Sequence, residues 1–235
     1  MRARRRARGG VVQPARPRAD EPWRRGVRDS LPFATASFVL SLSFGVVAVE
    51  SGFSPVAAVV MSAVVYGGAG QFALVGILSA GGALGSAVGA AALVNGRFVP
   101  MGFALGPSLR GGPVRRALEG QTSIDVSWTM AARGDGTFDR TYLFGHSAVQ
   151  YVAWVAGTLA GVLVPGMDAR ALGLDVIFPA FFLALLVKEV RNGRRLVVAL
   201  LAAAIAFALV PVLPPGAPVL VASVAALVGL RENWR

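Results

Sequence analysis

The stretch VVYGGAGQFALV, residues 64–75, lies inside a long apolar run, yet it places Gly67, Gly68 and Gly70 around Ala69 and follows them with an amide, Gln71. In water each Gly costs a helix up to about 1 kcal/mol relative to Ala, so residues 67–70 are the easiest place in this run to unwind. In lipid, unwinding is prohibitive unless the freed backbone groups face protein, water or a ligand. A half-helix beginning near Gln71 would aim free N–H groups and a positive dipole end into the protein, which suits a carboxylate. Close packing is the other reading, because small residues at helical spacing let a neighbouring helix approach.

The rest of the chain fixes the solvent. It has 235 residues, 55% of them hydrophobic and 15% charged, with a mean hydropathy of +0.63, too apolar for a soluble domain. Windows of about 19 residues give repeated spans near the ~20 residues that cross a bilayer. They fall at 31–49, 55–79, 84–105, 117–132, 141–164, 174–190, 196–212 and 215–230. These runs are longer and more continuously apolar than the ~10-residue alternating strands of a membrane barrel. The expected fold is an all-α polytopic membrane protein of about 7–8 transmembrane helices. Residues 31–105 and 141–212 share a faint symmetry, as two three-helix repeats with broken helices would.

Charge is concentrated at the start. Residues 1–30 hold ten Arg against Asp20, Glu21 and Asp29, a balance of +7 out of the chain's +11. This Arg-, Pro- and Gly-rich segment reads as a disordered basic tail that stays on the cytoplasmic side and touches anionic lipid, with no nucleic-acid role. Residues 31–230 then form the transporter domain and 231–235 a short C-terminal tail. Arg24-Arg25 resembles a twin-arginine export signal, but the next run is too long for a signal core and lacks a cleavage pattern. With an inside N-terminus, the basic loop at 188–195 is also inside only if 117–132 crosses, and this strands Arg110, Arg115 and Arg116 outside, against the positive-inside rule. If 117–132 folds back instead, those three are inside and the tail is outside.

A second constellation is LVNGRFVPMG, residues 93–102. Arg97 falls near the centre of its span, where a cation costs about 2.5–3.5 kcal/mol on insertion scales. Asn95, Gly96 and Pro100 weaken the helix around it. Arg97 either pairs with a buried acid and locks two helices, or grips a substrate carboxylate in bidentate fashion. Asp125 is the obvious intramembrane counter-charge, and burial would let it carry a coupling proton. The candidate substrate-binding residues are therefore Gly67, Gly68, Gly70, Gln71, Asn95 and Arg97. Phe44, Phe72 and Phe98 are either core or the pocket for an aliphatic side chain.

The chain has no Cys and one His, His146, so no metal site or cofactor is expected, and His146 reads as a satisfied interfacial residue. A zinc protease motif needs two histidines. A serine protease is disfavoured because Ser147 is adjacent to His146, and helical neighbours do not face each other.

MSAVVYGGAGQFALVGIL, VNGRFVPMG, SIDVSWTMA and LGLDVIFPAFFLALLV resemble the AzlC family, the large subunit of branched-chain amino acid exporters, over about residues 31–230. The most specific block is kept as Met61, Ser62, Tyr66 to Gly70 and Gln71, and the Asn-x-Arg block as Asn95 and Arg97. Three positions depart: Val39-Leu40-Ser41 precedes Phe44-Gly45, the family's Asn-Leu-Arg-His reads Asn-Gly-Arg-Phe, and Val126 replaces the second acid after Asp125. The resemblance implies a carrier in the cytoplasmic membrane that exports branched-chain and similar apolar amino acids with a small AzlD-type membrane partner. The competing reading is a permease or scaffold subunit of another transport complex that moves nothing by itself.

Overall fold

The computed structural model describes residues 21–164, 193–214 and 217–225, together with scattered positions between 171 and 190. Residues 1–20, most of the candidate span at 174–190 and the 231–235 tail therefore lie outside the described residues, as does much of the second proposed repeat. The described residues are helical, with one isolated bridge between Ala132 and Phe138. In chain order the helices are α1 (Glu21–Glu50), α2 (Pro55–Val65), α3 (Gly68–Ser79), α4 (Leu84–Asn95) and α5 (Phe98–Leu105), followed by α6 (Pro113–Gln121), α7 (Asp125–Ala131), α8 (Arg140–Val162), α9 (Gly193–Leu209) and α10 (Ala217–Ala222). Residues 21–30, read from sequence as part of the tail, are the first ten residues of α1.

Glu21–Glu50 and Leu84–Ser108 are the two described helices long and apolar enough to cross a bilayer by length and composition. The candidate spans at 55–79 and 117–132 are each two shorter helices, α2 with α3 and α6 with α7.

The centre of the fold is the pair α1 and α8. Gly26 faces the carbonyl of Tyr142, Gly157 that of Phe38, and Gly161 that of Leu42, so a Cβ at any of these would strike the opposite main chain. Glycine is what lets the two backbones touch, the usual means of helix association where lipid supplies no hydrophobic drive. Contact partners rise together along both helices, from 26 with 142 to 42 with 161, so α1 and α8 run parallel. One end of the pair carries Arg140 and the other Glu50.

Along α2 the partners on α8 fall instead. The Ser62 hydroxyl meets that of Thr158 at 2.7 Å, Tyr151 donates to the Ala63 carbonyl at 3.0 Å, and the Tyr66 hydroxyl reaches Ser147. α2 therefore descends from the Glu50 end to mid-height. There the chain turns sharply, because Tyr66 takes a left-handed conformation (φ 44, ψ 37). A non-glycine residue is rare in that region and costs of order 1–3 kcal/mol, which burial of its ring against Tyr151 helps to hold in place.

α3 then climbs back. Gly68 lies under the Trp154 ring, and Phe72 packs edge-on against Phe44 with centroids 5.3 Å apart, level with the Glu50-end contacts of α1. α4 runs antiparallel to α3 and returns to mid-height at Asn95, and α5 continues to Leu105 and Leu109, which pack with Phe138, Tyr142 and Leu143 at the Arg140 end. α4 and α5 form one path from end to end. Pro100 has no N–H for the Gly96 carbonyl, the Val99 N–H takes it at 3.1 Å, and the helix tightens there by a single 3-10 turn. α6 rises from the Arg140 end to mid-height, and α7 descends from Asp125 back to Ala131 among the Leu105 and Leu143 side chains.

Candidate functional site

Three helix interruptions meet at mid-height: Tyr66–Gly67 between α2 and α3, Gly96–Arg97 between α4 and α5, and residues 122–124 between α6 and α7. Each leaves backbone groups that water would serve at a surface and that protein must serve here.

The end of α2 is capped from outside its own segment. Gln121 at the end of α6 donates through Nε2 to the carbonyls of Val64 (2.9 Å) and Val65 (3.3 Å), and Tyr151 of α8 serves Ala63. The start of α3 is different. Gly67 is its N-cap without a side-chain hydrogen bond, and the first intrahelical bond runs from the Gln71 N–H to the Gly67 carbonyl at 3.0 Å. The N–H groups of Gly68, Ala69 and Gly70 thus have no partner within the helix.

The Asn95 amide sits against this helix start. A Cβ on Gly67 would lie 2.8 Å from Asn95 Nδ2, and one on Gly70 would strike the same amide. Asn95 Oδ1 is buried with no hydrogen-bond partner among the described residues. Gly67, Gly70 and Asn95, far apart in sequence, therefore form one small polar junction.

Gln71 is committed elsewhere. It is 1% exposed, its Nε2 donates to the Ser62 hydroxyl at 3.0 Å, and its Oε1 accepts from the Trp154 indole at 3.2 Å. It ties α3 to α2 and α8, and Gly68 completes that contact by making room for the indole.

Arg97 turns to α7. Its Nε donates to Asp125 Oδ1 at 2.9 Å and its Nη2 to Asp125 Oδ2 at 2.9 Å, a bidentate pair, while Nη1 holds the Val94 carbonyl at 2.8 Å. The guanidinium also lies over the Phe98 ring, 4.7 Å from its centroid. Side-chain exposures of 36% for Arg97 and 53% for Asp125 leave the pair open to exchange. Phe44 and Phe72 are core residues of the α1–α3–α8 packing.

Beside this junction a cavity of about 510 Å³ extends along α5 and α6, lined by Tyr66, Phe98, Met101, Arg116, Gln121 and Ser123 among others. It borders the candidate residues without being lined by them. Gln121, Tyr66, Ser62 and Trp154 are the positions to which sequence reading gave no site role, although Ser62 and Tyr66 stand in the block that carries the family resemblance. His146 is fully buried where α8 meets α1, with Nδ1 against Gln150 at 2.9 Å and Nε2 without a partner among the described residues. It is not the satisfied interfacial residue that sequence suggested.

Away from this core, Asp139 caps α8 through the Tyr142 N–H at 3.0 Å and pairs with Arg133 at 3.1 Å. Burial pushes its carboxyl up, but that N–H and Arg133 outweigh burial and hold it below the ordinary carboxylate value.

Helices throughout the described residues, glycine-mediated helix contacts and interrupted helices meeting at a buried polar junction fit a membrane protein with a transport-related role. Residues 32–167 match the family described as AzlC protein, and the chain belongs to that family. It is 28% identical over 188 residues to the inner membrane protein YgaZ of Escherichia coli (strain K12), covering 74% of this chain and 75% of that one. It is also 29% identical over 190 residues to an uncharacterized membrane protein of Archaeoglobus fulgidus, covering 79% and 84%, and 23% identical over 158 residues to one of Helicobacter pylori (strain 26695), covering 66% and 69%. No solved structure matches.

Proposed function

We propose that this protein is a secondary transporter that exports branched-chain and related apolar amino acids across the cytoplasmic membrane, acting with a small AzlD-type membrane protein. The observation that carries this reading is the junction of two interrupted helices, where the Asn95 amide lies against Gly67 and Gly70 at a helix start whose first N–H groups have no partner within the helix. Such a helix start favours an anion. Arg97, two residues from Asn95, holds a carboxylate already, that of Asp125. An amino acid carries both charges, so it can replace this pair without leaving either one alone, its carboxylate on Arg97 and its ammonium on Asp125. A neutral exchange of this kind avoids the cost of an uncompensated charge at bilayer depth.

The test is counterflow of labelled valine and methionine in proteoliposomes, with and without the small partner. Accumulation that is lost in Arg97→Gln supports the reading. Absence of counterflow under both conditions would favour the alternative, a permease or scaffold subunit without transport of its own.

A further inference from the structure

The paths of α2–α3 and α6–α7 have a consequence for how the chain lies in the membrane. We infer that both are re-entrant hairpins, entering from opposite faces and touching tip to tip, so that α1, α4–α5 and α8 are the crossings among residues 21–164.

The argument starts from the pair α1 and α8. They are parallel, so the chain between them must return to the side on which it began, through an odd number of crossings. The Leu84–Ser108 helix supplies one. Its 25 residues reach about 37 Å at 1.5 Å per residue, and its far end packs among Phe138 and Leu143 at the Arg140 end. Leu84 must then stand at the Glu50 end. The loop at 80–83 joins α3 to Leu84, and α2 begins five residues after Glu50, so both ends of α2–α3 are at that same end.

The second hairpin mirrors the first. Leu109, before α6, and Ala131, at the end of α7, both pack at the Arg140 end, whereas Gln121 and Asp125 reach mid-height. The tips meet where Gln121 Nε2 bonds the carbonyls of Val64 and Val65. Non-helical backbone at this depth is tolerated only where protein or a water-lined cavity serves it, which is what the tip contact does.

Charge supports the same arrangement. Arg24, Arg25 and Arg28 lie in the first turns of α1, Arg110, Arg115 and Arg116 flank or lie in α6, Arg133 precedes α8 and Arg140 opens it; all eight fall at one end. At the other end the described loops at 51–54 and 80–83 contain no Arg or Lys. Five successive crossings would instead strand Arg110, Arg115 and Arg116 on the face opposite the other five. For these eight residues the hairpin arrangement obeys the positive-inside rule, and it makes the Arg140 end cytoplasmic.

The chain contains no Cys, so single substitutions read out without background. Ser54→Cys, Ala83→Cys, Gly112→Cys and Ala132→Cys all lie at exposed positions. Each variant is labelled in intact cells with a membrane-impermeant thiol reagent, then after permeabilisation, and finally in detergent to confirm that the thiol reacts. Ser54→Cys and Ala83→Cys should label from outside, and Gly112→Cys and Ala132→Cys only after permeabilisation. Labelling of Ala83→Cys from the inside, or of Gly112→Cys from the outside, overturns the proposal. Labelling reports position and not transport, so its failure is distinct from failure of the export reading.

Discussion

Gln121 donates its side-chain amide to the Val64 carbonyl at 2.9 Å, joining the end of α6 to the end of α2 across 57 residues of sequence. It does for the end of α2 what water does for a helix end at a protein surface. Gln121→Ala should lower stability by about 0.5–1.5 kcal/mol, the net worth of an ordinary hydrogen bond. Gln121→Glu should be no better, since a carboxylate has no hydrogen to donate. Thermal unfolding in detergent checks both, and unchanged midpoints would show that the carbonyls have another donor.

Gly70→Ala and Gly76→Ala form a matched pair on α3. A methyl at 70 strikes the Asn95 amide, whereas one at 76 meets nothing within 4 Å. Gly76→Ala should be neutral or gain up to about 1 kcal/mol from helix propensity. Gly70→Ala should cut counterflow at least tenfold with insertion intact, by analogy with misplacements of about 1 Å at binding sites. Equal activities in the two variants would remove Gly70 from the site.

Arg97→Gln should abolish transport yet cost little stability, because partly exposed ion pairs contribute about 0–1 kcal/mol. Asp125→Asn should weaken transport less, since an amide oxygen still accepts from the guanidinium. Normal efflux by Arg97→Gln would dispose of the carboxylate grip.

Acid should loosen the start of α8. The Asp139 carboxyl titrates below its ordinary value of 3.8 in the folded chain, so its contribution is present above that pH and is lost as pH falls through the lower folded value. Asp139→Asn keeps a capping oxygen but removes the titration. Its unfolding midpoint should therefore lie below that of the unaltered protein at pH 6, with the gap narrowing below about pH 4. A gap independent of pH would assign the effect to shape alone.

An interruption near Gly67 was legible from the glycine cluster, but the sequence placed the unwound stretch at 67–70 with a helix restarting near Gln71, whereas α3 already begins at Gly68 and its glycines serve close packing as well. That Tyr66 would be the left-handed residue was not legible, since its strain is repaid by contacts with Tyr151 and Ser147 more than eighty residues away. Hydropathy read 55–79 as one span because it counts apolar residues and is blind to direction. The polar residues within 117–132 have partners that only the fold supplies: Gln121 on Val64, Glu119 on Arg140, and Asp125 on Arg97. Arg97 and Asn95 were visible as misfits in a span, but the meeting of Asn95 with Gly67 and Gly70 depends on the α3–α4 hairpin.

The glycine seam between α1 and α8 also bears on how the protein is made. Asp29 and Tyr142, partners across it, are 113 residues apart, so at about 5–20 residues per second the first helix waits roughly 6–23 s on the ribosome's schedule before its mate exists. Throughout that interval its bare glycine face is available to any passing helix, which makes the order of insertion, more than the strength of the final contact, the step at which assembly is won or lost.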